Sequence, residues 1–369
     1  MRFPEFHNIW EQKTIGDIFT FVNGKAHEQD VADAGKYIIV NSKYISTDGL
    51  VQKYSEKQMC PLYKNDIVMV MSDVPNGKAM SKCLLIDEND KYTLNQRICA
   101  LRNIEFPLFF LAQINRNQYF MKFDDGVKQT NLRKDDVLLC PVYLTSKSEQ
   151  KKIAEFLSLV NKRIEQQRKL VETLKRYKRG LLFDVFNKKI QFKNPNGVNF
   201  PKWESMTVSD VLNYEQPQKY IVASENYNDN YKTPVLTANK AFILGYTNEN
   251  NGIYSKGEAI IYDDFTMDMK FATFNFKVKS STIKILTCKE SNDLYFMYNL
   301  LLSLNLKPQG HQRSYISILE PTKILVPCYE EQKLISNLLR KIDSNLERQT
   351  VYLDILENYK KGLLQQMFI

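Results

Sequence analysis

Residues Glu149 to Phe186 read EQKKIAEFLSLVNKRIEQQRKLVETLKRYKRGLLFDVF. The run holds no proline and a single glycine, Gly180. Its apolar residues recur at spacings of four and three: Ile153, Leu157, Val160, Ile164, Val171, Leu174 and Leu181, interrupted by Gln167 and Lys178. That spacing puts one apolar seam on a helix that winds against a second helix. At 1.5 Å per residue such a helix is about 55 Å long, too long to hide inside a small domain.

A second copy lies 182 residues on, with Ile335, Leu339, Ile342, Leu346, Leu353, Leu356 and Leu363 on the seam and the same breaks at Gln349 and Lys360. The flanks repeat as well. Glu149-Gln150-Lys151 matches Glu331-Gln332-Lys333, and Tyr177-Lys178-Arg179-Gly180-Leu181-Leu182 matches Tyr359-Lys360-Lys361-Gly362-Leu363-Leu364. Two equal helices in one chain are expected to pack antiparallel, as a coiled coil with a pseudo-two-fold axis. Gln167 and Gln349 then fall at its centre, where a buried polar pair can fix register at a cost in stability. The alternative is that each glutamine tolerates a half-exposed seam position.

The segments before the helices repeat more faintly. Phe3-Pro4 with Trp10-Glu11 and Ile15-Gly16-Asp17-Ile18 resembles Phe200-Pro201 with Trp203-Glu204 and Val208-Ser209-Asp210-Val211. Strand-like runs follow at Tyr37 to Asn41 and Thr233 to Thr237, then turns leading into Ile67 to Val70 and Ala259 to Tyr262. Helices are expected over Leu108 to Ile114 and Leu294 to Leu302. After them come Gly126-Val127-Lys128-Gln129-Thr130-Asn131-Leu132 and Gly310-His311-Gln312-Arg313-Ser314. Short strands, Val137 to Pro141 and Ile324 to Pro327, close each half. The expected fold is α+β: two mixed α/β domains joined by two long helices in an internal repeat. The expected boundaries are 1–146, 147–190, 191–328 and 329–369.

The chain of 369 residues carries a formal charge of +9, which favours an anionic partner without naming one. From Lys147 to Lys189 there are thirteen Lys+Arg against five Asp+Glu; from Tyr329 to Ile369 there are six of each. The excess therefore sits on or beside the first long helix. A basic face there could meet phosphates or an acidic subunit, and a merely solvated helix surface is the competing reading. No apolar stretch approaches the ~20 residues of a membrane span. Met1 to Trp10 lacks signal-peptide architecture, so a cytoplasmic location is expected. The six cysteines form no C-x-x-C pair and read as reduced thiols. With three histidines in the chain, no metal site is expected.

Catalytic motifs are missing from the sequence. It has no G-x-x-x-x-G-K-[ST], G-x-G-x-x-G, H-E-x-x-H or G-x-S-x-G. Asn194-Pro195-Asn196-Gly197 lacks the second proline and the aromatic of a methyltransferase motif and reads as a turn. The acid pairs Asp124-Asp125, Asp135-Asp136 and Asp263-Asp264 read as loop residues rather than Mg²⁺ ligands.

Tandem dissimilar domains, each followed by a helix opening Glu-Gln-Lys and ending Tyr-Lys-(Arg/Lys)-Gly-Leu-Leu, resemble the specificity subunit of a type I restriction-modification enzyme over essentially the whole chain. The resemblance implies two target recognition domains, each reading one half of an interrupted site in double-stranded DNA. It implies a coiled coil that sets the spacer and docks modification subunits, two of them, with a restriction (translocase-nuclease) subunit in some systems. This chain itself would bind no cofactor, with S-adenosylmethionine, ATP and Mg²⁺ used by the partner subunits. The second half departs from the pattern, with a loop one residue shorter and Tyr315-Ile316 in place of Asn131-Leu132.

Base edges are read by Gln or Asn on adenine and by Arg or Lys on guanine. The candidates are Lys43, Lys78, Arg97, Lys128, Gln129, Thr130, Asn131 and Arg133 in the first half. In the second they are Lys240, Lys270, His311, Gln312, Arg313 and Ser314. For Gln129 and Asn131 the competing role is local bonding within a turn. Two other functions stay open at this point: a subunit of a related restriction system with its own catalysis, and a coiled-coil scaffold for acidic proteins. The ruler role has a direct test. Deleting one heptad from both long helices should shorten the preferred spacer and leave both half-sites intact; a constant spacer would show that the helices do not measure it.

Overall fold

The computed structural model describes every residue except 1, 28, 75–78, 116–117, 125–128, 239–240, 309–312 and 369. The chain divides into two compact units. Unit 1 combines Met1–Arg168 with Tyr352–Ile369, and unit 2 is Lys169–Val351.

In unit 1 the chain runs β1 (Glu11–Thr14), α1 (Ile15–Ile18), β2 (Thr20–Asn23), β3 (Tyr37–Val40), α2 (Ser42–Ser46), β4 (Tyr54–Ser55), β5 (Ile67–Val70) and β6 (Ser72–Asp73). It continues through β7 (Cys83–Leu85), β8 (Tyr92–Leu94), β9 (Ile98–Arg102), α3 (Pro107–Ile114), β10 (Thr130–Asn131), α4 (Lys134–Leu138) and β11 (Pro141–Leu144) into α5 (Lys147–Phe186). Unit 2 repeats the plan with β12 (Glu204–Thr207), α6 (Val208–Val211), β13 (Leu212–Glu215), β14 (Thr233–Leu236), β15 (Ile243–Thr247), β16 (Ala259–Asp263) and β17 (Met269–Ala272). Then come β18 (Lys277–Val278), β19 (Ile283–Cys288), α7 (Leu294–Ser303), a π-helix at Tyr315–Leu319, β20 (Lys323–Val326) and α8 (Tyr329–Met367).

Each unit holds a four-stranded and a three-stranded sheet. Unit 1 has the orders β2-β9-β5-β7 and β4-β3-β8; unit 2 has β13-β19-β16-β17 and β15-β14-β18. The central strands β5 and β16 are buried along their whole length. An unbroken apolar run such as Ile67-Val68-Met69-Val70 therefore suits a strand covered on both faces. Antiparallel pairs β1–β11 and β12–β20 close the units. The repeated Asp of Ile-Gly-Asp and Val-Ser-Asp has a local reason. Asp17 accepts from the Thr14 backbone N–H at 2.7 Å, and Asp210 from that of Thr207 at 2.7 Å, turning the chain out of each closing strand.

The opening Glu-Gln of each long helix docks the helix onto its unit. Gln150 Nε2 donates to the Thr145 carbonyl at 2.7 Å and Gln332 Nε2 to the Pro327 carbonyl at 2.9 Å. Glu149 receives both Nε and Nη2 of Arg2, at 2.6 and 2.7 Å, whereas Glu331 receives the Trp203 indole N–H at 3.2 Å. The early turns of α5 (Ile153, Leu157) share the unit 1 core with the last turns of α8 (Leu364, Met367, Phe368). In unit 2, Leu181 and Val185 share a core with Ile335 and Leu339. The helices thus run antiparallel within each unit, and every seam residue is buried or half-buried. Each fully buried Leu or Ile contributes about 1.5–3 kcal/mol. Flanking polar bonds join the seam: Arg168 to Glu357 at 2.6 Å in unit 1, Lys178 to Asp343 at 2.6 Å in unit 2. Gln167 is buried and Gln349 half-buried.

One expected strand is corrected. Val137 and Leu138 end the helix α4, and the strand begins at Pro141. The Asp136 carboxylate accepts from the Arg133 backbone N–H at 2.7 Å and starts that helix turn; a short apolar run alone does not separate strand from helix. No helix among the described residues is long and apolar enough to cross a membrane.

Candidate nucleic-acid interface

In unit 1 four loops converge at the ends of β2, β5, β8 and β9. Gly24 N–H donates to the Ile98 carbonyl at 3.1 Å, Gln96 N–H to Lys25 at 2.9 Å and Met71 N–H to Arg97 at 2.9 Å. Leu132 N–H donates to the Met71 carbonyl at 2.7 Å, pinning the segment after β10 to the end of β5. The approach at Gly24 excludes any side chain, since a Cβ there would lie 1.8 Å from the Asn95 carbonyl oxygen.

The convergence leaves two adjoining clefts. One is lined by Asn23, Gly24, Ser72, Arg97 and Asn131 among others, and the second by Asn41, Ser42, Lys43, Asn95, Gln96 and Arg97. Arg97 belongs to both, and among the described residues no acidic one lines either. Asp73, next to Ser72, is spent on its own loop, accepting backbone N–H groups of Val74, Ala79 and Met80 at 2.9, 2.6 and 3.1 Å. The face therefore presents donors and cations to any anion that settles on it.

Ser72 organises one side of this face. Its hydroxyl donates to Asn131 Oδ1 at 2.6 Å and accepts from Gln129 Nε2 at 2.8 Å. Both amides are exposed but held in orientation. Lys43 is exposed on α2, behind the Asn41 cap whose Oδ1 accepts from Tyr44 N–H at 2.9 Å. Arg97 is exposed in a turn at φ +68°. Arg133 is exposed at the start of α4 and lines neither cleft. Thr130, named with them as a candidate, is less accessible. It is buried, and its hydroxyl donates to Asp124 at 3.2 Å. Sequence reasoning missed Asn23, Ser72 and Asn95; polar residues directly after an apolar strand, as at Ser72, were the available signal.

Unit 2 builds the same junction. Asp264 N–H donates to the Thr282 carbonyl at 2.9 Å, and Ser314 N–H to the Asp264 carbonyl at 2.8 Å. These bonds match those of Met71 with Arg97 and Leu132, so Thr282 stands in the place of Arg97 and Arg313 in that of Asn131. Ser314, a candidate of this unit, is likewise buried. It is 1% exposed, hydrogen-bonded to Tyr262 Oη at 2.6 Å and donating to the Asp264 carbonyl at 2.7 Å. Arg313 beside it is exposed. Lys270 is half-buried on the edge strand β17, opposite Ile261. Lys78, Lys128, Lys240, His311 and Gln312 lie outside the described residues.

Asp263 and Asp264 are buried and bonded inward, Asp263 to the N–H groups of Phe265 and Thr266 at 2.9 Å each. Among the described residues no group of three or more His, Cys, Asp or Glu could hold a metal ion. All six cysteines are free thiols.

The family described as "Type I restriction modification DNA specificity domain" matches residues 8–176 and 201–357. The chain belongs to this family. The specificity subunit of the type I restriction enzyme EcoR124I/EcoR124II from Escherichia coli is 35% identical over 184 residues, 43% of this chain and 45% of that one. That alignment spans less than half of the relative. The type I restriction enzyme MjaVIII specificity subunit from Methanocaldococcus jannaschii is 22% identical and aligns over 98% of this chain and 94% of its own. Among solved structures, the S subunit of a type I restriction-modification system from M. genitalium superposes with a TM-score of 0.67 at 17% identity, covering 100% of this chain and 99% of that one. A chain from a type I system structure concerned with complex assembly and conformational transition gives 0.52 at 14%, covering 97% of each. At these identities the structures establish a shared fold. Membership places the chain with the DNA-specificity component of type I restriction-modification systems, which recognises and does not itself catalyse.

Proposed function

We propose that each unit reads one half of an interrupted site in double-stranded DNA, with residues 1–146 and 191–328 as the target recognition domains. The long helices, 147–190 and 329–369, dock the modification subunits, two per chain, and in some systems a restriction subunit. S-adenosylmethionine, ATP and Mg²⁺ act on those partners. The complex works in the cytoplasm, where DNA is. The observation that carries this reading is the pair of clefts in unit 1, lined by no acidic residue among those described, around which Lys43, Arg97, Gln129 and Asn131 gather. Cations there neutralise phosphates and amides meet base edges. The basic flank of α5 adds a sequence-independent term that falls with salt.

The test is a genome-wide map of DNA methylation in cells with and without this chain, the modification partner present in both. A two-part motif that vanishes without the chain supports the reading; a map that does not depend on the chain overturns it. Within such a map, Gln129→Ala is expected to alter only the half-site read by unit 1, since Gln129 orients with Ser72 and Asn131. An unchanged motif would remove Gln129 from readout.

A further inference from the structure

We propose that Arg97 reads a guanine in the half-site of unit 1, and that Arg313 reads a guanine in the half-site of unit 2 from a non-corresponding loop. The inference rests on the reading of these faces as DNA-binding and assigns the residues that choose the base.

Four observations converge on Arg97. Its side chain is exposed, joins both clefts, and makes no hydrogen bond or ion pair with another described residue. Its backbone is fixed, because its carbonyl accepts from Met71 N–H at 2.9 Å. It stands at φ +68°, where glycine or asparagine is comfortable and a long side chain is strained. Finally, the guanidinium is a planar fork of donors, matching the O6 and N7 acceptors of guanine.

The register-equivalent residue of unit 2 is closed to this role. Thr282 turns its hydroxyl inward to the Asp263 carboxylate at 3.1 Å. The other position shows the reverse pattern. In unit 1 it is Asn131, whose amide oxygen is occupied by Ser72 at 2.6 Å. In unit 2 it is Arg313, exposed and without a side-chain partner among the described residues. Its backbone is anchored as firmly as that of Arg97. Its carbonyl accepts from Ser317 Oγ at 2.7 Å, and the next two residues are clamped to Asp264. Among the described residues, each unit thus offers one free arginine fork on this pair of loops, Arg97 and Arg313, on opposite members of the pair.

The test uses the full chain assembled with its modification partner, and reads methylated motifs genome-wide for wild type, Arg97→Gly, Arg97→Lys and Arg313→Ala. Arg97→Gly is expected to make one guanine of one half-site tolerant of other bases, lowering its preference about tenfold or more, with the other half-site unchanged. Its melting temperature should not fall, because glycine relieves the positive φ. Arg97→Lys keeps the charge without the fork and should relax the same guanine. Arg313→Ala should relax one guanine of the other half-site only. A motif unchanged by Arg97→Gly or by Arg313→Ala overturns the assignment. So does a uniform fall in methylation with every base preference kept, which is the behaviour of a phosphate contact. Loss of both half-sites, or a lower melting temperature for Arg97→Gly, makes the residue structural and also overturns it. If the wild type shows no two-part motif, the proposed function fails instead, and the two failures are distinct.

Discussion

Asp264→Ala is expected to cost unit 2 about 3–5 kcal/mol, because it strands a buried lysine. Lys284 Nζ lies 3.4 Å from Asp264 Oδ2, and both side chains are 3% exposed. The remaining partner of Lys284 in this network is the neutral amide oxygen of Gln216 at 2.9 Å. The same carboxylate also accepts from the Tyr315 backbone N–H at 2.8 Å, so its loss frees the segment that carries Arg313. Hydrogen exchange on the chain in its complex should show β16 and β19 losing protection while β5 and β9 keep theirs. Equal protection in wild type and variant would mean that the pair contributes nothing beyond what water supplies.

Glutamine substitutions at the two repeat-equivalent glutamates are expected to act in opposite directions. Glu149 is buried. Burial alone would raise its carboxyl, but the Arg2 hydrogen bonds, the Thr145 hydroxyl and the Arg2 charge outweigh it and hold the group below the usual carboxylate range. A carboxylate lowered in the folded state contributes stability above its unfolded pKa and loses it as pH falls through the folded value. Glu149→Gln should therefore cost unit 1 about 1.5–3 kcal/mol at pH 7, with the deficit shrinking toward acid pH. Among the described residues Glu331 has no arginine partner. Burial pushes its carboxyl up, and the Trp203 N–H offsets this only in part. Its folded state favours the protonated acid, so ionisation near neutral pH opposes folding. Glu331→Gln keeps an acceptor for the indole and removes the charge, so unit 2 should gain stability at pH 7 and gain nothing well below the ordinary glutamate value. Thermal unfolding of both variants at pH 7 and pH 4 checks the signs. A loss for Glu331→Gln at pH 7 would show that its charge is compensated.

The legible part of this molecule was its periodicity. Seam spacings of three and four, repeated with the same two breaks, announce paired helices because helix packing reads local spacing. The Glu-Gln openings were visible as a repeat, but their reason is non-local, since Thr145, Pro327, Arg2 and Trp203 are brought to them by the fold. The run Val137 to Pro141 misled because a short apolar run suits either a strand or a buried helix turn; the Asp136 cap was the better signal. At the candidate interface, Gln129 and Asn131 stood out by residue type. Arg97 looked weak because neither its positive φ nor its place between two clefts is written in neighbouring residues. Ser72 carried only the faint signal of a polar residue after an apolar run, and its role was hidden because it lies 57 residues from Gln129, whose amide it receives.

Unit 1 takes its last core residues from the far end of the chain. Phe368 sets its ring 5.9 Å from Trp10 and 5.7 Å from Phe109, and Met367 is buried with Ile153 and Leu157. Unit 2 is one uninterrupted stretch. Synthesis runs from the N-terminus, and domains generally fold as their residues emerge. Here the order inverts: residues 1–168 leave the ribosome first, yet they must wait for residues 352–369, while unit 2 already has all of its own. The first unit made is the last one finished, and for that interval the apolar faces of Trp10, Phe109 and the early turns of α5 stand uncovered.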